Sequence, residues 1–148
     1  MTIRTVVWGE NIHERTNAVV GNLYPKGMHE AIASFRRAIA LAPAHVNALS
    51  NLAIVLKEQK RLDEAVTTMA RASEIDPANA AVWVNFAAIH EARGDYERMR
   101  ALAHRALELD PDSPEAYNLL ANAETEAGRF DQALALYERA LTLDPGNR

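Results

Sequence analysis

Apolar residues recur in this chain at two nested spacings. Within short segments they fall three and four apart, the period of one helix face, and the whole arrangement repeats every 34 residues. Four prolines give the ruler: Pro43, Pro77, Pro111 and Pro145 stand 34 residues apart with no insertion. With these prolines at repeat position 32, alanine fills position 27 (Ala38, Ala72, Ala106, Ala140) and position 8 (Ala53, Ala87, Ala121). Position 20 reads Ala31, Ala65, Met99 and Ala133. Position 4 carries Leu49, Trp83 and Tyr117, position 7 carries Leu52, Phe86 and Leu120, and position 24 carries Phe35, Met69, Ala103 and Tyr137. Small residues among large ones at helical spacing let two backbones approach closely, so each unit predicts a pair of packed helices, with Ala72 and Ala106 at close crossings.

Local chemistry sets the boundaries. Asn79 and Ser113 precede new apolar segments, where their side chains can accept unpaired backbone N–H groups, and Pro114 suits a first helical turn. Gly94 and Gly128 at position 15 end a first helix in a left-handed turn, and Lys60 stands there in the first full unit, which predicts strain or a different turn. Helices are predicted near 46–58, 62–75, 80–92, 96–109, 114–127 and 130–143, after a lone second helix near 28–42.

A 34-residue period of this composition resembles the tetratricopeptide repeat, over residues 34–147. The resemblance implies an all-α fold, helix-turn-helix units stacked in a short right-handed superhelix with a concave inner surface. It divides the chain into a half repeat at 28–45 and full repeats at 46–79, 80–113 and 114–147, the last without a C-terminal capping helix. Residues 1–27 break the pattern. Ile3 to Trp8 is rich in β-branched residues and ends at Gly9, which predicts a short strand followed by a loop. The stretch VVWGENIHE, with Leu23-Tyr24-Pro25 and Gly27 to Ile32, resembles the N-terminus of the ThuA-like (trehalose-utilisation) family. That likeness implies the opening of a longer α/β domain, of which nothing continues after Ala33.

Composition narrows the function. At 49% hydrophobic and 24% charged the chain should bury a core, and with no cysteine it can hold neither disulfide nor thiolate chemistry. No apolar run approaches a membrane span and the first ten residues lack the stretch a signal peptide needs, so the expected place is the cytoplasm, with no membrane partner. The net charge of −4 is unevenly spread, five Lys/Arg against three Asp/Glu in residues 1–45 and eleven against seventeen in residues 46–148, and neither half is basic enough to bind nucleic acid.

Catalytic and metal motifs are missing: there is no HExxH, P-loop or GxSxG, and no cofactor is expected. Glu10, His13 and Glu14 are the one weak metal candidate, matching the ThuA-like stretch, and a solvated loop explains them better. Repeats of this kind line their groove through positions 2, 5, 6, 9, 12 and 13, as the resemblance implies. Here that rule gives Asn47, Ser50, Asn51, Ile54, Lys57 and Glu58, then Ala81, Val84, Asn85, Ala88, Glu91 and Ala92, then Glu115, Asn118, Leu119, Asn122, Thr125 and Glu126. Of these, Asn47, Ser50, Asn51, Ile54, Lys57, Val84, Asn85, Ala88, Glu91, Asn118 and Asn122 are the expected peptide contacts. Ser50, Ile54 and Glu115 stand where a carboxylate clamp needs other residues. Asn51 and Asn85 share position 6, and amides that donate and accept can pair with an extended peptide backbone.

The expected function is non-enzymatic, a module binding a peptide or partner helix in that groove. Two alternatives are a fragment or fusion of a ThuA-like sugar-metabolism protein, and a self-assembling module joined through its open C-terminal helix or its N-terminal strand. The last rests on Leu134, Leu136, Tyr137, Leu141 and Leu143, more apolar surface than one helix can bury inwards.

Overall fold

The computed structural model describes residues 27–146. They form seven α-helices: α1 (Met28–Leu41), α2 (Val46–Glu58), α3 (Leu62–Ile75), α4 (Ala80–Arg93), α5 (Tyr96–Leu109), α6 (Pro114–Glu126) and α7 (Phe130–Leu143). These bounds depart from the predicted helices by a single residue at three C-terminal ends and nowhere else. The expected strand at Ile3 to Trp8 and the Glu10, His13, Glu14 set lie outside the described residues, as does most of the ThuA-like stretch. Its remainder, Gly27 to Ala33, opens α1. Among the described residues no helix is long and apolar enough to cross a membrane.

Each helix packs on its sequence neighbours, and the first helices α2, α4 and α6 also touch one another in order. The backbones of the second helices α1, α3, α5 and α7 do not approach one another, and α1 reaches α3 only through side chains, as in the Arg36–Glu64 ion pair at 3.2 Å. A stack that closes up along its first helices and opens along its second ones curves towards the first, so α2, α4 and α6 line the inner side. Every alanine at positions 8, 20 and 27 from Ala48 onward in the sequence is closed off, including Ala53, Ala65, Ala72, Ala87, Ala106 and Ala121 at 0% exposure, as close backbone crossings require.

The turn between the two helices of a repeat is the same three times. The N–H of position 16 donates to the carbonyl of position 11 (Arg61 to Leu56, Asp95 to His90, Arg129 to Glu124), and that of position 15 to position 12 (Lys60 to Lys57, Gly94 to Glu91, Gly128 to Thr125). This pairing satisfies the last carbonyls of the first helix and needs a left-handed residue at position 15. Lys60 supplies it at φ 61°, beside Gly94 at 77° and Gly128 at 74°. The turn is therefore conserved in shape and strained in its residue: a side chain in this region costs roughly 1–2 kcal/mol.

Turns between repeats are tied by side chains. Trp83 donates its indole N–H to the Pro77 carbonyl at 2.9 Å, and Tyr117 its hydroxyl to the Pro111 carbonyl at 3.2 Å. Leu49 holds the same position without a donor, and Arg71 reaches the Pro43 carbonyl instead, at 2.7 Å. Of the two expected N-caps, Ser113 accepts from the Ala116 N–H. Asn79 makes no side-chain cap; its Nδ2 donates instead to Asp76 Oδ2 at 3.1 Å, which turns the side chain towards the preceding turn. His45 caps α2, its Nδ1 accepting from the Ala48 N–H at 3.2 Å.

Candidate functional site

The inner face consists of the exposed stripes of α2, α4 and α6, and the structure treats the three unequally. On α2, Asn47 is exposed and Asn51 half-buried, but Ser50, Ile54 and Lys57 are 8%, 5% and 7% exposed. Spacing placed these three on the open side, and the structure closes them in. Lys57 keeps Glu58 at 3.3 Å as its counter-charge, while the Ser50 hydroxyl has no hydrogen-bond partner. On α4 and α6 the corresponding residues Val84, Ala88, Glu91, Asn118 and Asn122 are all half-buried, together with Asn85.

The amides divide into two kinds. Asn51, Asn85 and Asn118 make no side-chain hydrogen bond among the described residues. Asn122 is fully engaged: the Tyr137 hydroxyl donates to its Oδ1, and its Nδ2 donates to Glu91 Oε1 at 2.5 Å. Position 6 of the last repeat is Leu119, 7% exposed and packed in the core, so the position-6 row stops at Asn85 and Asn118 is the nearest amide beyond it.

A cleft of about 190 Å³ opens beside Asn122, walled by Glu91, Tyr96, Asn122, Thr125, Glu126 and Tyr137. It joins α4 and α6 to the second helices α5 and α7, so it exists only once two repeats are stacked. Glu91, Asn122, Thr125 and Glu126 all stand at groove positions by spacing. Tyr96 and Tyr137 stand at second-helix positions with apolar spacing, and a tyrosine there is indistinguishable in sequence from any other apolar residue. A hydroxyl opposite a first-helix amide was the available signal. Next to this cleft a larger one, about 310 Å³, is lined by the Gly94 turn, Tyr96, Arg100 and the end of α6.

Position 11, the last inward position of each first helix, carries Leu56, His90 and Glu124, which are 1%, 2% and 7% exposed. The two polar members are each faced by the residue five positions on. His90 Nδ1 lies 3.4 Å from Asp95 Oδ2, close enough for charge attraction, yet both ring nitrogens lack a formed hydrogen bond. Burial pushes the His90 pKa below 6.5, against the pull of Asp95, with Arg98 and Arg93 pushing the same way as burial. Glu124 is held by Arg129 from its own turn and by Arg100 at 3.7 Å from the preceding repeat. The hydrogen bond from Arg129 lowers its pKa below 4.5, more than its own burial raises it. Among the described residues no three His, Asp or Glu side chains converge as metal ligands.

Two profiles described as tetratricopeptide repeat match the chain, one over residues 28–84 and one over 79–145. Together they take in every described helix, and the chain belongs to the tetratricopeptide repeat family. The fold is that of a protein-interaction scaffold. Solved structures agree: MamA MSR-1 C2 is 19% identical with a TM-score of 0.70, over 87% of this chain and 74% of its own. The MamA RS-1 ArsTM double mutant is 18% identical with a TM-score of 0.73, over 88% and 72%. The Arabidopsis OM64 TPR domain is 23% identical with a TM-score of 0.66, over 70% and 85%. At these identities the likeness is one of fold. No curated protein matches the sequence. The comparisons give the ThuA-like resemblance no support.

Proposed function

We propose that this chain is a non-enzymatic interaction module whose repeats, 46–79, 80–113 and 114–147 after a half repeat at 28–45, hold an extended segment of a partner protein along α2, α4 and α6. The observation that carries this reading is the set Asn51, Asn85 and Asn118, one amide per first helix, each half-buried and each without a side-chain partner among the described residues. A partly desolvated amide that forms no bond within the protein is a cost unless something else satisfies it, and an extended backbone offers the matching donor and acceptor. Replacing Asn51 and Asn85 by alanine is expected to weaken a peptide selected on the intact chain from a random displayed library by about tenfold, the loss of two ordinary hydrogen bonds. The melting temperature should stay within about 2 °C, since exposed or half-exposed polar truncations cost little. Isothermal titration of both proteins with that peptide reads the first effect, and undiminished binding by the double variant overturns the reading.

Self-association is a second reading, favoured by α7. Phe130, Leu134 and Leu141 are 68%, 59% and 44% exposed and share one helix face. The preceding second helices α3 and α5 each pack on the first helix of the next repeat, and α7 has no such neighbour among the described residues. Tyr137, counted with this surface from its spacing, is half-buried and bonded to Asn122, so Phe130 and Leu134 are the residues to change. The unmodified chain is expected to sediment as a dimer or larger at micromolar concentration, and a Phe130→Glu, Leu134→Glu variant as a monomer. A monomeric unmodified chain removes this reading without touching the first.

A further inference from the structure

The 190 Å³ cleft has a chemistry that the amide row lacks. Its walls offer two carboxylates (Glu91, Glu126), two phenols (Tyr96, Tyr137), a hydroxyl (Thr125) and an amide (Asn122), and no cation. Neighbouring acids are neutralised within the protein: Asp95 faces Arg98 at 3.7 Å, Glu97 faces Arg100 at 3.9 Å, and Glu124 is held by Arg129. Glu91 and Glu126 have no ion-pair partner among the described residues. Glu91 is also aimed. The chain of hydrogen bonds from Tyr137 through Asn122 ends on Glu91 Oε1, which fixes the carboxylate and leaves Oε2 for a ligand.

From this geometry we propose that the cleft receives the side chain of an arginine in the partner segment. The proposal rests on the reading that the inner face binds an extended segment, and it names the residue that would anchor it. A guanidinium is planar, weakly hydrated and forked, so it can donate to two carboxylates while lying against tyrosine rings. An ammonium could take the charge but neither the fork nor the stacking. A volume of about 190 Å³ equals roughly six waters at about 30 Å³ each, room for the guanidinium and the methylenes that carry it. A metal ion is the poorer occupant, because among the described residues no third ligating carboxylate or imidazole joins the two glutamates.

The test uses the whole chain, isotopically labelled, titrated with N-acetylarginine amide and separately with N-acetylcitrulline amide, which has the same shape and no charge. The arginine derivative is expected to shift the Asn122 side-chain amide and the Thr125 and Glu126 backbone amides saturably. The citrulline derivative should bind at least about fivefold more weakly, the order expected for partly exposed charge pairs. Raising salt from about 50 to 500 mM should narrow the difference by screening. Glu91→Gln with Glu126→Gln should abolish the preference while keeping the helical circular dichroism spectrum. If the double variant does not fold, Glu126→Gln alone, at an exposed position, should still reduce it. Equal binding of the two derivatives, or shifts confined to other residues, overturns the proposal. That result leaves the amide reading standing if the Asn51, Asn85 variant still loses its peptide, so the two failures are separable.

Discussion

Met99→Ala is expected to lower the unfolding free energy by about 2–5 kcal/mol, and adding Ala103→Met to it should recover most of the loss. Positions 20 and 24 lie one turn apart on the buried face of each second helix. In three repeats the small residue comes first: Ala31 with Phe35, Ala65 with Met69, Ala133 with Tyr137. In α5 the order is reversed, Met99 then Ala103, and both are 0% exposed. The same space is thus filled from either of two neighbouring positions. Removing Met99 alone leaves a cavity beside α4 and α6, and Ala103→Met alone overpacks the site at a cost of about 1–3 kcal/mol. Made together, the two changes reproduce the order of α3, whose Ala65 and Met69 pack at 0% exposure. Urea unfolding of the two single variants and the double variant measures the coupling. Losses that simply add would show that the two positions do not share a volume.

Replacing His90 by leucine is expected to raise stability at neutral pH by about 1–3 kcal/mol and to flatten its dependence on acid. Leucine already fills the equivalent place, Leu56, at 1% exposure. The histidine there brings two ring nitrogens that form no hydrogen bond, and an apolar side chain removes that desolvation cost. The pH dependence follows from the direction of its pKa. Lowered in the fold below 6.5, His90 binds fewer protons folded than unfolded, so its share of stability is complete above 6.5 and is lost as pH falls beneath it. Glu124, lowered below 4.5, contributes above that value and loses its share further down, so it governs a more acidic step. Denaturant midpoints between about pH 2 and 7.5 should therefore fall in two stages in the unmodified chain. The His90→Leu variant should keep only the lower one. An unchanged upper stage would mean that another group titrates there.

Much of the fold was legible because the sequence says the same thing several times. A proline every 34 residues, with alanines at positions 8 and 27, leaves one register in which all columns agree, and the helix ends follow to within a residue. The left-handed turn was legible through Gly94 and Gly128, and Lys60 adopts it because two backbone hydrogen bonds impose the conformation whatever the residue. The caps were less legible. Asn79 has the chemistry of a cap but also an aspartate three residues away that takes its amide, and His45 caps with an imidazole that no composition rule singles out.

The candidate site divides along the same line. Helical spacing by itself determined the array of paired helices, which face of each first helix is turned away from its own second helix, and hence that Glu91 and Asn122 look the same way. Those are properties of one helix and its 3.6-residue period, repeated. What covers that face, and what reaches it from elsewhere, depends on residues far apart in sequence, and only the tertiary structure decided it. Ser50, Ile54 and Lys57 have groove spacing and are buried. Tyr96 and Tyr137 have core spacing, yet their phenols wall an open cleft, because a tyrosine can bury its ring and present its hydroxyl. The bond from Tyr137 to Asn122 and the one from Asn122 to Glu91, 31 residues away in the chain, join three helices of two repeats. No periodicity encodes that juxtaposition, since the identities that matter differ from repeat to repeat while the backbone that positions them does not.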